Sequence, residues 1–91
     1  MKIEKINWDQ ETVDHIARHA VSPEEVEEVL FNEDDKPILL KGKEGRYLAY
    51  GQTQSGRSLL VVWVIRYRKT NIITARDLTK KEKQFHRRTK R

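Results

Sequence analysis

The 91-residue sequence has a mass of 10.8 kDa, a net charge of +5 and a hydrophobic fraction of 36%, which predicts one small domain spanning residues 1–91 and excludes a second domain. Charged residues make up 36% of the chain and cysteine is absent, so a disulfide framework, a thiolate metal site and a cysteine nucleophile are excluded. The longest apolar run, Leu59 to Ile65, is far shorter than the roughly 20 residues of a membrane helix, and the first residues do not resemble a signal peptide, so we expect a cytoplasmic protein without a membrane partner.

The N-terminal part of the chain is predicted to form one short strand and two helices. Asp9 is a favourable N-cap residue, and apolar residues then recur at helical spacing. A capping-box pattern with proline at the first helical position begins at Ser22 and predicts a second helix. The predicted elements are a strand at Lys2 to Trp8, a helix from Gln10 to about His19, and a helix that reaches Leu30 or Phe31.

From Pro37 onward the apolar residues follow the two-residue period of strands, interrupted by turn sequences rich in glycine. The third of these strands is apolar on both faces, which is typical of a central strand covered by helices on at least one side. Thr79 and Glu82 form a further capping-box pattern, which predicts a basic helix anchored by Phe85 and frayed from His86 to Arg91. The predicted strands are Pro37 to Leu40, Arg46 to Thr53, Ser58 to Arg66, and Asn71 to Arg76, with a polar connection at Tyr67 to Thr70.

The fold class is therefore α+β: a short N-terminal strand, two helices, an antiparallel four-strand meander and a C-terminal helix.

The net charge changes sign along the chain. Residues 1–40 carry a net charge of −7, residues 41–68 carry +5, and residues 69–91 carry +7. Positive charge gathered in the C-terminal half is the electrostatic pattern of a protein that binds nucleic acid, although a merely solvated charged surface would look similar.

The two histidines at positions 15 and 19 have the four-residue spacing of a metal-binding pair on one helix face. No glutamate follows His15 directly, and a third ligand would have to come from Asp14 or the distant His86. We therefore expect no metal site. His19, in the predicted last turn of the first helix, suits either a helix-end position or an acid–base role in a cleft.

Arginines in the meander point to recognition of a phosphodiester, because the planar guanidinium binds phosphate through two parallel hydrogen bonds. Tyr67 lies between Arg66 and Arg68 in a polar connection and is the best candidate to stack on a base. Trp63, inside a run of apolar residues, is expected to belong to the core. The predicted RNA-binding residues are Arg46, Arg66, Tyr67, Arg68, Lys80 and Lys81.

Several short motifs together resemble the BrnT-type toxins, over almost the whole chain. The motifs are Trp8-Asp9, Arg18-His19-Ala20-Val21-Ser22 with Glu24 and Glu25, Arg46-Tyr47 with Gly51, Gly56-Arg57 with Leu59 to Val62, and Ile72 to Arg76 with Glu82. The resemblance implies a fold similar to the RelE-like toxins and a cytoplasmic ribonuclease that needs no metal or cofactor. It also implies a cognate antitoxin encoded by an adjacent gene as partner, and is compatible with a homo-oligomer in that complex. The chain departs from the family pattern at Ala20, Ile65 and Asn71.

Four residues that match the family pattern are predicted to be catalytic: His19, Arg57, Arg76 and Glu82. Metal-free RNA cleavage needs a base, cationic donors for the charged transition state and an acid. His19 is the best titratable group, Arg57 and Arg76 the best charge stabilisers. Glu82 is a second acid–base group, a residue that orients Arg76, or simply part of a capping box. Two alternatives remain: a noncatalytic nucleic-acid-binding domain and a protein-interaction domain.

Overall fold

The computed structural model describes residue 3 and residues 5–90, which form three helices and one four-stranded antiparallel sheet, as the predicted α+β class requires. The elements are α1 (Gln10–Ala17), α2 (Pro23–Leu30), β1 (Ile38–Lys41), β2 (Tyr47–Gln52), β3 (Ser58–Arg66), β4 (Lys69–Asp77) and α3 (Lys80–Thr89). Among the described residues no helix has the length and apolar composition needed to cross a membrane.

Each helix begins at the cap that the sequence predicts. Asp9 accepts a hydrogen bond from the Thr12 amide at 2.7 Å, and Ser22 and Glu25 form a reciprocal capping box at the start of α2. A second capping box, between Thr79 and Glu82, starts α3. These side chains satisfy amide groups that have no partner inside the first helical turn, so local sequence is sufficient to set where the helices begin.

The sheet has the strand order β1-β2-β3-β4, each strand antiparallel to its neighbour. Ala49, Val61 and Ala75 are paired across β2, β3 and β4 and are fully buried on one face. Trp63 shares this core with residues of α1 and α2, including Ile16 and the α2 valines. Two helices therefore cover this face of the sheet, which we call the α1–α2 face.

The opposite face, which we call the α3 face, has a smaller core. Leu60, Val62 and Leu78 are buried there, with Leu48 and Tyr50 partly buried against them. Phe85 of α3 anchors the helix on this face, as the sequence predicts, with its ring 5.2 Å from the ring of Tyr50. Because α3 packs at one end of the sheet, an open groove remains over the rest of the face.

The predicted N-terminal strand is wrong for the described residues. Lys2 and Glu4 lie outside the described part of the chain, and in the remainder Ile6 makes only an isolated parallel bridge to Thr70. The Asn7 amide also donates to the Thr70 carbonyl oxygen at 2.8 Å. This segment lies along β4 at a single point, because the alternation in its sequence is too imperfect to extend the pairing.

Several boundaries in the second half also differ from prediction. Strands β1 and β2 each differ by one residue at both ends. The connection between β3 and β4 is a tight turn, since both Tyr67 and Arg68 have positive φ angles, 52° and 63°, and β4 begins at Lys69. Such two-residue turns match the twist of paired strands. Helix α3 continues to Thr89 instead of fraying at His86, because His86 is buried against the sheet end. Arg91 lies outside the described residues.

Candidate active site

Arg57 lies just before β3 and joins the end of the sheet to α2. Its Nε donates to Asp77 Oδ1 at 2.8 Å, and its Nη2 donates to Asp77 Oδ2 at 3.1 Å. Its Nη1 donates to both carboxylate oxygens of Glu25, at 3.2 Å each. The hydrogen bonds with Asp77, followed by the contact with Glu25, raise the pKa of Arg57. The same bonds from Arg57 lower the pKa of Asp77, so the network stays ionised at neutral pH.

The remaining N–H groups of Arg57 hold the backbone between α1 and α2. Nη1 donates to the carbonyl oxygen of Ala20 at 2.6 Å, and Nη2 donates to that of His19 at 3.1 Å. A guanidinium has five N–H groups, and in Arg57 all five are engaged inside the protein. Arg57 therefore fixes the position of the α1–α2 corner relative to the sheet.

The corner that Arg57 holds is a Schellman turn. The Ala20 amide donates to the Ala17 carbonyl at 2.9 Å, and the Val21 amide donates to the Ile16 carbonyl at 3.1 Å. This pattern ends a helix with one residue in the left-handed region, and Ala20 has a φ angle of 58°. The turn explains why α1 ends two residues before the predicted position at His19.

His19 lies on this turn with its side chain exposed. Its ring centroid is 5.9 Å from that of His15, in an edge-to-face arrangement. Because the His19 carbonyl oxygen accepts a hydrogen bond from Arg57 Nη2, the residue lies beside the Arg57–Asp77 pair. Within residue 3 and residues 5–90, no group of three or more His, Cys, Asp or Glu side chains is arranged to hold a metal ion.

Arg76 and Glu82 form a second ion pair at the junction of β4 and α3. Arg76 Nη1 donates to Glu82 Oε1 at 2.8 Å and Nη2 donates to Oε2 at 3.0 Å. Glu82 Oε1 also accepts from the Thr79 amide at 2.8 Å. The hydrogen bond from Arg76, with smaller contributions from Thr79, lowers the pKa of Glu82 to about 2. Glu82 is thus both a helix cap and a partner of Arg76, and its ionised carboxylate is a poor proton donor at neutral pH.

The open groove on the α3 face has a volume of about 470 Å³. Arg46, which precedes β2, and Arg76, at the end of β4, both line it, and Lys43 adds a third cation, against one acidic residue, Glu44. Its floor consists of side chains from three neighbouring strands: Leu48, Leu60, Val62 and Thr74. A basic border around an apolar floor can bind a phosphate and accommodate the flat face of a base.

The four predicted catalytic residues fall into two groups on opposite faces of the sheet. Arg76 and Asp77 are consecutive in β4, so their side chains point to opposite sides. Asp77 is paired with Leu59 and faces α1–α2, whereas Arg76 is paired with Leu60 and faces the groove. The structure therefore brings His19 together with Arg57, and Arg76 together with Glu82, and the two groups meet at the end of β4.

The predicted RNA-binding residues are distributed along the molecule. Arg66, Tyr67 and Arg68 lie at the β3–β4 turn, where Tyr67 is 95% exposed. Since each of these strands has nine residues, the turn is on the order of 30 Å from Arg76. Lys80 and Lys81 are exposed in the first turn of α3, beside Glu82.

Sequence reasoning missed two members of the site, Asp77 and Glu25. Asp77 follows Arg76 directly, and strand alternation points its side chain to the opposite face, which was the available signal. Glu25 was identified as part of a capping box and of a family motif, and its contact with Arg57 depends on how α2 packs near β3. No local pattern encodes that packing.

The three departures from the family pattern have different structural settings. Ala20 occupies the left-handed position of the Schellman turn, where glycine is favoured. Asn71 accepts a hydrogen bond from Asn7 Nδ2 at 2.9 Å and so holds the N-terminal segment against β4. Ile65 is 46% exposed near the β3–β4 turn, far from Arg76. None of the three removes a contact of the Arg76–Glu82 pair.

Comparison with known proteins identifies a family. The family model described as the ribonuclease toxin, BrnT, of type II toxin-antitoxin systems matches residues 8–82. No curated protein matches the chain. The matched range begins just before α1 and ends at Glu82, so it includes all four predicted catalytic residues.

Proposed function

The chain belongs to the BrnT family of ribonuclease toxins of type II toxin-antitoxin systems, and from this premise we propose that it cleaves RNA without a metal ion at the junction of β4 and α3. Membership of the family implies an RNA substrate and an antitoxin partner. The proposal adds the position of the scissile phosphate, the role of each residue, and inhibition of cell growth as the consequence.

The single observation that carries the proposal is the difference between the two arginines. Three of the five N–H groups of Arg76 bind the Asp77 carbonyl and the Glu82 carboxylate, which leaves two without a partner among the described residues. Arg76 also lines the groove, with 35% of its side chain exposed. In Arg57, by contrast, all five N–H groups already bind protein oxygens. A guanidinium held by a carboxylate, with donors free beside a groove, is suited to bind a phosphate.

We assign the roles accordingly. Arg76 stabilises the charge that develops on the phosphate in the transition state. His19 transfers protons, because its side chain is exposed and an imidazole can both accept and donate a proton. In this proposal the reacting phosphate lies at the end of β4, between His19 on the α1–α2 side of the sheet and Arg76 on the α3 face.

Glu82 and Arg57 are positioning residues in this proposal. Glu82 orients Arg76, and its lowered pKa keeps the carboxylate charged so that the pair persists at neutral pH. Arg57 holds the Schellman turn through the carbonyl oxygens of His19 and Ala20. Their removal acts on the reaction through the residues that they hold.

The remaining predicted RNA-binding residues extend the substrate path. Arg46 borders the groove across the sheet from Arg76, and Lys80 and Lys81 add positive charge beside it. At the far end, Tyr67 between Arg66 and Arg68 offers an exposed aromatic ring for stacking. We propose that these residues bind RNA and do not take part in bond cleavage.

The test is single-turnover cleavage of a labelled RNA by the Arg76→Ala variant in the presence of a chelator. Removing one preorganised donor should lower the rate roughly a hundredfold to a thousandfold, while circular dichroism shows that the protein stays folded. Arg76→Lys should recover only part of the rate, because a point charge does not reproduce the planar fork. His19→Ala should be impaired to a similar degree.

Arg66→Ala is the matched control, since it removes the same charge at the other end of β3 and β4. It should weaken RNA binding and leave the cleavage rate of the bound RNA unchanged. Full cleavage by folded Arg76→Ala would refute the assigned site, and loss of wild-type cleavage in chelator would refute the metal-free mechanism. RNA binding without any cleavage by the wild type would instead indicate a noncatalytic RNA-binding protein.

A further inference from the structure

A second pocket, of about 390 Å³, lies where α3 packs near the ends of β2 and β3. Lys83, His86 and Arg87 of α3 line it, together with Lys90, the C-cap residue of that helix. These positions recur at intervals of three and four residues, so they lie on one face of the helix. Gln52 and Ser58 line the opposite wall and are joined by a hydrogen bond of 3.3 Å. The pocket therefore combines a row of cations with neutral polar groups that can also contact an anion.

The pocket has an excess of positive charge that its own acidic residue does not cancel. Asp35 is the acidic residue in the lining, and it is paired with Lys90 at 3.0 Å. Lys90 Nζ also donates to the Lys36 carbonyl oxygen, so Lys90 holds the end of α3 against residues 35 and 36. Lys83 and Arg87 form no ion pair within the described part of the chain. Two cations on one wall are left available to an anionic ligand.

His86 is a buried polar group in this lining. It is 8% exposed, and its Nε2 has no hydrogen-bond partner among the described residues. Burial, and to a lesser extent the charge of Lys90, lowers the pKa of His86, and Asp35 acts weakly in the opposite direction. A bound anion would reverse this balance, because negative charge nearby favours the protonated imidazole. Ligand binding and His86 protonation should therefore be coupled.

The position of the pocket relates it to Arg76. His86 follows Glu82 by one helical turn, a rise of about 6 Å along α3. The Leu78 amide, just after β4, donates to the carbonyl oxygen of Ser58, which lines the pocket, at 3.1 Å, so the pocket lies beside the end of β4. We propose that this pocket is a second phosphate site, which binds an RNA backbone phosphate beyond the scissile one. The inference rests on the proposed function, because it places the same RNA strand along α3.

The experiment compares Arg87→Gln with Arg88→Gln. Arg88 is the next residue of α3, carries the same charge, is exposed and does not line the pocket. The probe is a single-stranded RNA of mixed sequence made non-cleavable by 2′-O-methylation, and affinity is measured across a salt titration. Arg87→Gln should reduce the salt dependence by about one phosphate contact, and Arg88→Gln should leave it unchanged.

A second measurement follows the histidines of the wild type by NMR during pH titration. The RNA should raise the pKa of His86, and inorganic phosphate should do so more weakly. Arg88→Gln, titrated in the same way, serves as the reference and should show the same shift of His86 as the wild type. Lys83→Gln should diminish the shift of His86 without changing the fold.

The outcomes separate this proposal from the proposed function. Equal loss of affinity in Arg87→Gln and Arg88→Gln would mean general electrostatic attraction and would overturn the second site, even if Arg76→Ala abolishes cleavage. A shift of His86 with inorganic phosphate but not with RNA would assign the pocket to a small anion and would also overturn it. Absence of RNA binding by the wild type would contradict both proposals.

Discussion

Ala20 shows how one backbone conformation supports the site. Its φ angle of 58° lies in the left-handed region, which costs a residue with a Cβ atom roughly 1–2 kcal/mol. The turn persists because Ile16 and Val21 are buried on either side of it and because Arg57 binds the Ala20 carbonyl oxygen. Tertiary contacts thus hold alanine where glycine would be more stable.

We expect Ala20→Gly to stabilise the protein by about 0.5–1 kcal/mol. The strain removed from the folded state exceeds the roughly 0.4–1 kcal/mol that glycine loses through greater freedom of the unfolded chain. Urea unfolding provides the measurement. Ala17→Gly, at the last residue of α1, is the control and should destabilise by at most about 0.5–1 kcal/mol, because Ala17 has a helical backbone with no strain to relieve. A lower stability for Ala20→Gly would show that the turn is not strained.

At the scale of the element, the start of α3 shows that one carboxylate can both cap a helix and orient a residue of the site. The Glu82 backbone amide and the Thr79 hydroxyl complete the capping box, while the Glu82 carboxylate binds Arg76. The helix start and the guanidinium are therefore fixed by the same side chain. Movement of α3 would displace Arg76 from the groove.

This arrangement predicts acid sensitivity with a definite window. The pKa of Glu82 falls from 4.5 to about 2 on folding, so its contribution to stability is complete above about pH 4.5 and is lost as the pH falls toward 2. Asp77, with a lowered pKa, acts in the same direction. The pKa of His86 in the folded protein lies below its unfolded value of 6.5, so His86 causes a separate loss of stability that begins as the pH drops below 6.5.

Glu82→Gln isolates the first effect, because glutamine can still complete a capping box but cannot form the ion pair. We expect a loss of about 1.5–3 kcal/mol near pH 7, measured by urea unfolding at several pH values. The difference from the wild type should shrink on acidification between pH 4.5 and 2. A difference that stays constant across this range would rule out the carboxylate as its source.

At the scale of the whole molecule, the sheet separates regions of opposite charge. Helix α2 carries four glutamates, and an acidic groove extends from it to Asp34 and Asp35. The α3 face carries the groove between Arg46 and Arg76 and the basic helix. An anionic partner is attracted to the α3 face and repelled from the α2 side.

Expression of the chain should therefore slow bacterial growth, and co-expression of the antitoxin from the adjacent gene should restore it. We expect the antitoxin to present acidic groups to the α3 face, because an inhibitor there blocks the phosphate sites. Hydrogen exchange of the complex should show added protection in β2, β4 and α3. Protection confined to α2, or a neighbouring gene product that forms no complex, would contradict this arrangement.

Local sequence was sufficient for several features of this protein. The caps at Asp9, Ser22 and Thr79 set where the helices begin, because capping depends on residues that are close in sequence. Strand β3 has the predicted bounds, because it coincides with one continuous apolar run. The α+β class follows from their order. The family was recognisable from short motifs in sequence order, and the match of the family model to residues 8–82 confirms it.

Only the tertiary structure decided which residues meet. Arg57 and Arg76 look alike in the sequence, and packing alone saturates the first with Glu25, Asp77 and two carbonyl oxygens while leaving the second with free donors. The early end of α1, the tight β3–β4 turn and the length of α3 were likewise set by contacts distant in sequence. The physical reason is the same in each case: a side chain's hydrogen-bond partners depend on how helices and strands pack, and that packing is a property of the whole fold.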